Sequence, residues 1–538
     1  MAPTLPRRQW LALTSGSALA WALPPTLRAQ TAGMGDVPPG PLVQVSWLAA
    51  SLGRADLVVL DASMPQERAG GHVPGAIPID GFGLLAGAPA PEVMERRLRA
   101  WGIGPQSLVV LLDGGASWIA PRLFYDLLRH GVAESRLKLL DGGLAAWRAA
   151  GAPLTREPTP APANGSFVLG QLRDAELRVR FDEFLLASGT PSRVTLLDAL
   201  EPDYYYGGAR FFSRGGHVPN AVLAPASEFF GADKRFKSMA ELAQLAAHLG
   251  LNRERPVFTH CGGGGAAAVP WFALHMLLGW PQVRLYQESH REWLSDERGL
   301  PFWTWADPNR VRDATWLASW GGGMLRQMGL TRVAIVDLRP EAAFAQGHPP
   351  GAVSLPAAQL PALWREPQRL ADRLAAAGID PTHEAVVVSA GGLNPDSALA
   401  VLALERAGQR RASVLLESVD EWALRGLPLA KPSPAAGPAG SPARQLAADA
   451  AAGVGYPAVS LRVDADAGNA ADAVSVPWTA LVAPDGVLRP AHEAWTMLRK
   501  AGLPRLAQVT VTARQPGEGA VALLVLRMLG WPDARAAF

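Results

Sequence analysis

The sequence predicts an α/β protein made of tandem units, each a parallel β-sheet flanked by helices, with a degenerate and incomplete last unit. Three observations carry this prediction. A chain of 538 residues is too long for one hydrophobic core and suits three or four domains. Short apolar strands alternate with helical segments, which is typical of parallel sheets covered on both faces. The whole pattern recurs at intervals of roughly 130 to 145 residues.

Each unit begins with an apolar strand that ends in aspartate, followed by a Gly-His turn. The strands end at Asp61, Asp198, Asp337 and, more faintly, Asp464. The turns are at His72, His217 and His348. The second unit carries an insertion at residues 204–210, and the fourth has lost the turn. Because the histidines occupy the same place in each repeat, we expect their imidazoles to satisfy loop backbone groups and not to bind a metal.

Two helices that end in glycine surround the next, central strand of each unit. These C-cap glycines are Gly102, Gly250, Gly378 and Gly502 for the first helix and Gly131, Gly279, Gly408 and Gly530 for the second. A closing helix with Trp147, Trp293 or Trp422 ends the first three units and is missing from the fourth. The predicted units span 42–155, 168–305, 306–432 and 446–538, with Pro- and Ala-rich linkers at 158–164 and 431–444.

Residues 1–29 have the composition of an export signal. They contain the pair Arg7-Arg8 and no acidic residue, followed by an apolar stretch from Trp10 to about Leu23. The pair resembles a twin-arginine signal, and a general secretory signal is the alternative. We therefore expect a periplasmic protein from which this segment is removed. The stretch is too short to cross about 30 Å of hydrocarbon, and we expect no membrane span in the mature chain.

The composition excludes several classes of partner and site. Charges nearly balance, with 50 Lys and Arg against 48 Asp and Glu, which gives no support for a nucleic-acid partner. Cys261 is the only cysteine, so the chain can form neither an intramolecular disulfide nor a zinc site built from cysteines. Any cysteine chemistry is therefore that of one thiol.

The loop after each central strand is the expected place for a site, because ligands bind beyond the carboxyl ends of the strands in open parallel sheets. Counting back from the second C-cap glycine places Asp113, Cys261, Ala390 and Thr512 at equivalent positions. In the third unit, counting forward from the first C-cap glycine, Gly378, gives Ser389 instead. The equivalent position there is therefore either Ser389 or Ala390. Only the second unit has a strong nucleophile at this position.

The segment after this cysteine is rich in glycine. Gly262, Gly263, Gly264, Gly265, Ala266 and Ala267 lead into an expected helix at about 267–279. Such a loop can turn its backbone N–H groups inward as an anion-binding nest. We expect the thiol to be partly ionised near neutral pH, since a helix N-terminus lowers a thiol pKa. The alternative is a buried cysteine without function, with glycines for close packing.

Together these features resemble the rhodanese family, the thiosulfate and mercaptopyruvate sulfurtransferases. The resemblance rests on the Asp-ended strand, the Gly-His-Val-Pro-Gly-Ala turn at 71–76 and the Cys-x-x-Gly loop that opens a helix. It covers nearly all of the chain after about residue 42 and weakens after about residue 445. The family pairs an inactive domain, with Asp at the cysteine position, with an active domain. Asp113 and Cys261 are similar to that arrangement.

The resemblance implies tandem rhodanese-like domains and a sulfurtransferase. Sulfane sulfur would move from thiosulfate or a mercaptopyruvate-like donor to a thiol or cyanide acceptor. Cys261 would hold the sulfur as a persulfide, and the amides of residues 262–267 would stabilise the anion. No metal and no other cofactor is expected. The partners would be these small sulfur compounds, with a periplasmic protein partner as a further expectation.

Two features depart from the family pattern. The family's arginine after the Asp-ended strand is missing, because Ala199 and Leu200 follow Asp198. Arg210 and Arg214, just before the turn of the second unit, are the candidate anion-binding residues, and solvated loop charges are the alternative. The glycines at 262–264 match the mercaptopyruvate-selective pattern only in part. The identity of the donor therefore stays open.

Two other functions are weighed against sulfur transfer. A phosphatase needs an arginine that closes the loop to bind phosphate, and His275 is the only basic residue between Gly262 and Arg284. A phosphatase is therefore rejected. A non-catalytic periplasmic sulfur-carrier or binding scaffold, built of rhodanese-like domains, stays as the alternative.

Overall fold

Four parallel sheets follow one another along the chain. The computed structural model describes residues 37–85, 90–431, 455–464 and 473–538, so the expected export signal lies outside the described residues. Every named strand pair in these ranges is parallel. The predicted fold class, tandem α/β units with a degenerate fourth copy, is confirmed. In the described ranges, no helix is both long and apolar enough to cross a membrane.

The first unit has five strands. They are β1 (Leu42–Val43), β2 (Leu57–Asp61), β3 (Ile77–Pro78), β4 (Leu108–Leu112) and β5 (Leu137–Leu140). Its helices are α1 (Val45–Ser51), α2 (Pro65–Arg68), α3 (Gly81–Leu85), α4 (Pro91–Ala100), α5 (Ile119–Arg129) and α6 (Gly143–Ala149), with a 3₁₀ turn at Glu134–Arg136. The strand order is β1-β5-β4-β2-β3, which puts β4, five buried apolar residues, in the middle.

The second unit repeats this order as β6-β10-β9-β7-β8. These strands are β6 (Arg178–Val179), β7 (Thr195–Asp198), β8 (Ala221–Leu223), β9 (Val257–His260) and β10 (Val283–Tyr286). Its helices are α7 (Asp174–Leu177), α8 (Phe181–Ser188), α9 (Pro202–Tyr205), α10 (Met239–His248), α11 (Ala268–Trp271) and α12 (Ser289–Trp293). A π-helix at Phe272–Leu277 continues α11, and 3₁₀ turns lie at Ala226–Phe229 and Asp296–Arg298.

The third unit has the same topology, with the strand order β11-β15-β14-β12-β13. These strands are β11 (Val311–Arg312), β12 (Val333–Asp337), β13 (Ala352–Ser354), β14 (Glu384–Val388) and β15 (Arg411–Leu415). Its helices are α13 (Ala314–Gly321), α14 (Gly323–Gln327), α15 (Glu341–Gln346), α16 (Leu360–Arg365), α17 (Pro367–Ala376), α18 (Pro395–Arg406) and α19 (Val419–Leu424). Two 3₁₀ turns lie at Pro308–Arg310 and Ala357–Gln359.

The fourth unit is smaller, with four strands in the order β17-β16-β18-β19. They are β16 (Ala458–Arg462), β17 (Val474–Ser475), β18 (Gln508–Thr512) and β19 (Ala534–Ala536). Its helices are α20 (Trp478–Leu481), α21 (Ala491–Lys500) and α22 (Pro516–Met528). Within its described residues it has neither the first edge strand nor the closing Trp helix of the other units.

The glycine and tryptophan signals mark the elements that they predict. All eight C-cap glycines have a positive φ, between +63° and +100°, a conformation that glycine adopts without strain. In each closing helix the indole donates a hydrogen bond to the carbonyl of the following proline. Trp147 bonds Pro153, Trp293 bonds Pro301 and Trp422 bonds Pro428, at 2.7 to 3.0 Å. The three closing helices are therefore held by the same contact.

The strand register decides which residues of the four loops are equivalent. Asp61 pairs with Leu112, Asp198 with His260 and Asp337 with Val388, so Asp113, Cys261 and Ser389 follow at the same position. Arg462 pairs with Thr512, which makes Ala513 the fourth equivalent. The counts that gave Ala390 and Thr512 are therefore wrong by one residue. A count of residues back from the helix-terminal glycine misplaces the loop position because helix lengths and caps differ between the units.

The units pack in pairs through the helix that follows each central loop. Helix α5 of the first unit lies against α11 of the second and its π-helical continuation. Phe124 packs on Phe272 and Tyr125 on Trp271, each at a centroid distance of 5.0 Å. Helix α18 of the third unit lies against α22 of the fourth in the same way. Each pair shares one hydrophobic core. Every residue of α5 is buried, because both of its faces meet protein.

Candidate active site

Cys261 lies directly after β9, at the carboxyl end of the central strand of the second unit. Strand β9 is buried between β10 and β7, as its apolar and β-branched residues require. The main chain of the cysteine is anchored on both sides by the start of α12. Its N–H donates to Ser289 Oγ at 3.1 Å, and its carbonyl accepts from His290 N–H at 2.9 Å. The cysteine is therefore held between the end of β9 and the start of α12.

Backbone amides surround the sulfur of this cysteine. Gly264 N–H lies 3.1 Å from Sγ, and the amides of Gly263 and Ala267 also donate to it. Gly264 has φ +80°, which allows its N–H to point inward. The carbonyls of Gly262, Gly265 and Ala266 accept instead from Arg291, Ala268 and Val269. Of the six predicted loop residues, three thus direct their amides at the sulfur and three hold the loop in shape.

The thiol is more deeply buried than the sequence suggests. The residue is 2% exposed, and burial raises the pKa of the Cys261 thiol above its ordinary value. The amides of Ala267, Gly263 and Gly264 lower this pKa, whereas the charge of Asp198 raises it further. The expectation of a thiol that is partly ionised near neutral pH is therefore wrong. The amide nest is present, but the loss of hydration outweighs it.

Aromatic side chains lie on two sides of the loop that follows Cys261. A side chain on Gly262 would meet the ring of Phe211 at 3.3 Å, and Phe211 itself stacks on Tyr204 at 4.1 Å. Phe211 is 58% exposed and lies beside the insertion that distinguishes the second unit. From the first unit, Trp118 approaches Gly265 so closely that a Cβ there would be 2.6 Å from its ring. The loop therefore has one wall from the insertion and one from the neighbouring unit.

The two predicted anion-binding arginines are placed differently. Arg214 donates to the main-chain carbonyls of Trp293, Leu294, Ser295 and Leu300, and its guanidinium lies over Phe302. Arg214 therefore ties the turn to the closing segment of its unit, a structural role in place of the predicted one. Arg210 is exposed and donates to the carbonyl of Ser213 at 3.3 Å.

Two other arginines approach the loop, and sequence reasoning missed both. Arg291 in α12 is exposed and donates to the carbonyl of Gly263 at 3.4 Å. Arg122 in α5 of the first unit is fully buried and pairs with Asp126 at 2.9 Å. Its Nη1 would lie 2.9 Å from a Cβ on Gly264. Both are distant in sequence from the loop, so no local motif could indicate them.

A buried cluster of ionisable side chains lies beneath the loop. Asp198 at the end of β7 is 3.0 Å from Nε2 of His290 and 3.6 Å from Nε2 of His260. Although burial opposes it, the two histidines hold the pKa of Asp198 at about 2. Burial lowers the pKa of His260 to about 3. Among the described residues, these three form the one group of His, Cys, Asp or Glu side chains close enough to share a metal ion.

The Gly-His turns have the structural role that their position predicts. The Nδ1 atoms of His217 and His348 donate to the carbonyls of Tyr205 and Phe344, at 2.8 and 3.0 Å. Each imidazole also stacks on the ring of the residue whose carbonyl it binds. His72 instead contacts the hydroxyl of Thr159 at 3.3 Å. These histidines therefore hold the turns together.

Comparison with known proteins extends these observations. The rhodanese-like domain family matches residues 44–150, 182–296 and 324–425. A protein of Pseudomonas aeruginosa named "Probable 3-mercaptopyruvate sulfurtransferase" is 35% identical over 281 residues, which are 48% of this chain and 96% of that protein. The thiosulfate sulfurtransferase of Azotobacter vinelandii is 30% identical over 260 residues, 47% of this chain and 93% of its own.

Among solved structures, the chain is similar to SseA from Escherichia coli, described as a 3-mercaptopyruvate sulfotransferase of rhodanese fold. The identity is 27% and the TM-score 0.42, covering 46% of this chain and 98% of SseA. Each of these relatives thus corresponds to about half of the present chain. The three family matches and the curated relatives confirm the predicted resemblance and the prediction of an enzyme. The chain belongs to the rhodanese family and is a multi-domain sulfurtransferase.

Proposed function

We propose that Cys261 carries a sulfane sulfur as a persulfide between a small donor and a thiol or cyanide acceptor. The observation that carries this proposal is the set of three amides directed at Sγ, from Gly263, Gly264 and Ala267. Fixed N–H groups around a sulfur stabilise it best when it is an anion. A persulfide anion needs this stabilisation in a site from which water is largely excluded.

The transfer proceeds in two displacements. The thiol loses its proton to solvent base, and the thiolate attacks the outer sulfur of thiosulfate, so that a new S–S bond forms and sulfite leaves. With a mercaptopyruvate-like donor, the C–S bond breaks and the carbon takes up a proton. A thiol or cyanide then attacks the outer sulfur of the persulfide, and the Cys261 thiolate returns. No net oxidant or reductant is consumed.

The raised pKa of the Cys261 thiol means that the thiolate needs a positive charge close by. Burial disfavours the thiolate, and an anionic donor beside it would raise the pKa further. The guanidinium of Arg291 contacts the loop from the exposed side and is suited to hold the negative end of the donor. We assign it the anion-binding role in place of Arg214.

The persulfide itself is the first measurement. Incubation of the protein with thiosulfate or 3-mercaptopyruvate is expected to add one sulfur atom, seen by intact mass and removed by cyanide or dithiothreitol. Cys261→Ser abolishes the adduct and the turnover without unfolding. Ser389→Ala, at the equivalent position of the third unit, is the matched control and leaves both intact. If neither donor leaves sulfur on Cys261, a non-catalytic sulfur-carrier or binding scaffold replaces the enzyme mechanism.

We further propose that residues 1–29 direct export to the periplasm and are then removed. Support comes from Arg7-Arg8, the apolar stretch after them and the absence of acidic residues. In that compartment a protein partner that supplies or receives sulfur is expected. Sequencing the amino terminus of the protein isolated from cells is the test, and an intact Met1 contradicts export. Exchange of both arginines for lysine blocks a twin-arginine signal and spares a general secretory one.

The unit boundaries at 42–155, 168–305, 306–432 and 446–538 are also a proposal. Limited proteolysis is expected to cut first within 157–165 and 431–445, where Pro- and Ala-rich sequence joins the units. Resistance at both junctions together with cleavage near residue 250 would contradict this map.

A further inference from the structure

The second unit contains a buried cluster that sulfur transfer does not use. Asp198 and His260 are 0% exposed and His290 is 2% exposed. Their ligand atoms all lie within 4.8 Å of one another. His260 has a backbone hydrogen-bond contact with Leu197, and His290 has one with the carboxylate of Asp198. However, Asp198 Oδ2, both ring nitrogens of His260 and Nε2 of His290 lack a well-aligned hydrogen-bond partner in the described part of the chain. Polar atoms in a protein interior rarely stay in this condition.

The other units show that the histidines are not needed to bury the aspartate. By strand register, His260 occupies the place of Leu112 in the first unit. His290 occupies the place of Leu144, since each donates its N–H to the carbonyl of the residue that begins the central loop. Asp61 of the first unit is 1% exposed and keeps leucine at both positions.

In the third unit an arginine, and not a histidine, lies beside the buried aspartate. Val388 stands at the position of His260, and Asp337 pairs with Arg339 at 2.7 Å. Of the three units that carry the Asp-ended strand in register, only the one with the cysteine therefore places two imidazoles around the carboxylate. This arrangement of two imidazoles around a carboxylate is specific to the second unit among these three. Its three side chains could share one ligand.

The donor set suits a transition-metal ion. Imidazole nitrogen and carboxylate oxygen are ordinary ligands of Zn²⁺ and Co²⁺, whereas Ca²⁺ and Mg²⁺ prefer oxygen alone. Ligand atoms about 2.0–2.1 Å from a tetrahedral zinc ion lie about 3.3 Å apart. The distances of 3.0 and 3.6 Å from Asp198 Oδ2 to the two histidines bracket this value.

We propose that Asp198, His260 and His290 bind one divalent transition-metal ion of the Zn²⁺ class. The three ligands come from the end of β7, the end of β9 and the start of α12, the elements that hold Cys261 and its loop. A shared ion joins these elements beneath the cysteine and compensates the buried carboxylate. The site is independent of the sulfur-transfer proposal, and it departs from the expectation of no metal made from the sequence.

Cobalt titration of the metal-free full-length protein tests the proposal. Dialysis against a chelator removes bound metal, and Co²⁺ is then added while the visible absorption of the ion is followed. We expect saturation at one equivalent and the intense bands of four-coordinate Co²⁺, which Zn²⁺ bleaches. The same titration with Cys261→Ser is expected to be unchanged, because the thiol is not a ligand.

The decisive variant is the double substitution His260→Leu and His290→Leu. It recreates the leucine pair of the first unit and is therefore expected to fold, which circular dichroism and thermal melting verify. Its Co²⁺ affinity is expected to fall at least 100-fold, whereas His383→Leu, which removes a partly exposed histidine paired with Asp380, changes nothing. If the double variant does not fold, His290→Leu alone is expected to weaken binding at least tenfold.

Three outcomes overturn the proposal. One is that the metal-free protein takes up no Co²⁺. Another is that the histidine variants bind Co²⁺ as the unsubstituted chain does. The third is loss of binding in Cys261→Ser alone, which places the ion on the thiol. Because persulfide formation is measured separately, a protein that transfers sulfur but binds no metal refutes only this inference.

Discussion

The loops at Asp113 and Cys261 occupy the same place in two neighbouring units and have opposite contents. In the first unit the carboxylate of Asp113 accepts hydrogen bonds from Gly115 and Ala120 N–H, both at 2.9 Å. In the second unit amides point instead at the sulfur of Cys261. The first loop thus fills its amide nest with its own carboxylate, whereas the amides of the second loop surround a thiol. The two loops therefore use the same backbone frame around different side chains.

The cysteine-less unit nevertheless takes part in the site. Because α5 packs against α11, the first loop faces the second, and Trp118 and Arg122 reach Gly265 and Gly264. Pairing of the first two units therefore supplies the cysteine loop with a wall and a buried guanidinium that the second unit alone lacks.

The largest expected effect concerns exchange of the nucleophile between the loops. In Cys261→Ser, the added substitution Asp113→Cys is expected to leave sulfur transfer at least about 10³-fold below the unsubstituted rate. Only two amides serve this position, and the carboxylate of Glu67 lies against Gly114 and opposes a second anion. Persulfide formation and turnover are the measurements. Recovered transfer would show that position alone makes a rhodanese-like loop active.

Gly264→Ala is expected to slow transfer about 100-fold. A Cβ there would lie 2.5 Å from the carbonyl oxygen of Gln287 and 2.9 Å from Arg122 Nη1, at a φ of +80°. The loop must shift and withdraw its amide from the sulfur. Gly250→Ala is the control, since Gly250 has φ +69° and open space around it. If both variants lose the same rate, backbone strain alone explains the slower transfer of Gly264→Ala.

The contribution of the first unit is tested at Arg122. The single variant Arg122→Met leaves the carboxylate of Asp126 buried without its cation and is expected to cost about 3–5 kcal/mol of stability. The double variant with Asp126→Leu removes both charges and is expected to melt near the unsubstituted protein. It still transfers sulfur about tenfold more slowly, because Gly264 loses its packing partner. An unchanged rate in the stable double variant contradicts a role of Arg122 in the transfer.

Arg291→Ala is expected to raise KM for thiosulfate about fivefold and to change kcat less than twofold. A charge that only binds the donor contributes to KM and not to the chemical step. Arg253→Ala removes an exposed arginine from the same unit and is expected to leave both constants unchanged. Steady-state kinetics with cyanide as acceptor measures both. A fall in kcat without a change in KM would place Arg291 in the chemical step instead.

The smallest expected effect is a pH dependence of stability at Asp113. Burial raises the pKa of this carboxyl above 3.8, so the folded state holds its proton more tightly than the unfolded state. Its contribution to stability is complete below about pH 4 and is lost as pH rises through the folded pKa. The melting temperature of the unsubstituted protein relative to Asp113→Asn is therefore expected to rise as pH falls from 7 to 4. A constant difference would contradict a raised pKa of Asp113 in the folded state.

Much of the fold was readable from local signals. The apolar strands ending at Asp61, Asp198 and Asp337 and the C-cap glycines mark element ends, because burial pattern and positive φ are properties of a few adjacent residues. The expected helix at 267–279 forms, but it changes from α to π geometry at Phe272, a detail that helical periodicity does not encode. The equivalence of Ser389 and Ala513 needed the strand register, which hydrogen bonds between distant segments set.

The sequence by itself determined the repeated α/β architecture, the one unit with a nucleophile and the glycine loop that serves it. Tertiary structure decided the surroundings of that nucleophile: the burial that raises the pKa of Cys261, the structural use of Arg214 and the approach of Arg122 from another unit. It also brought Asp198, His260 and His290 together. Backbone conformation follows from neighbours in sequence, whereas desolvation and charge depend on neighbours in space, which only packing defines.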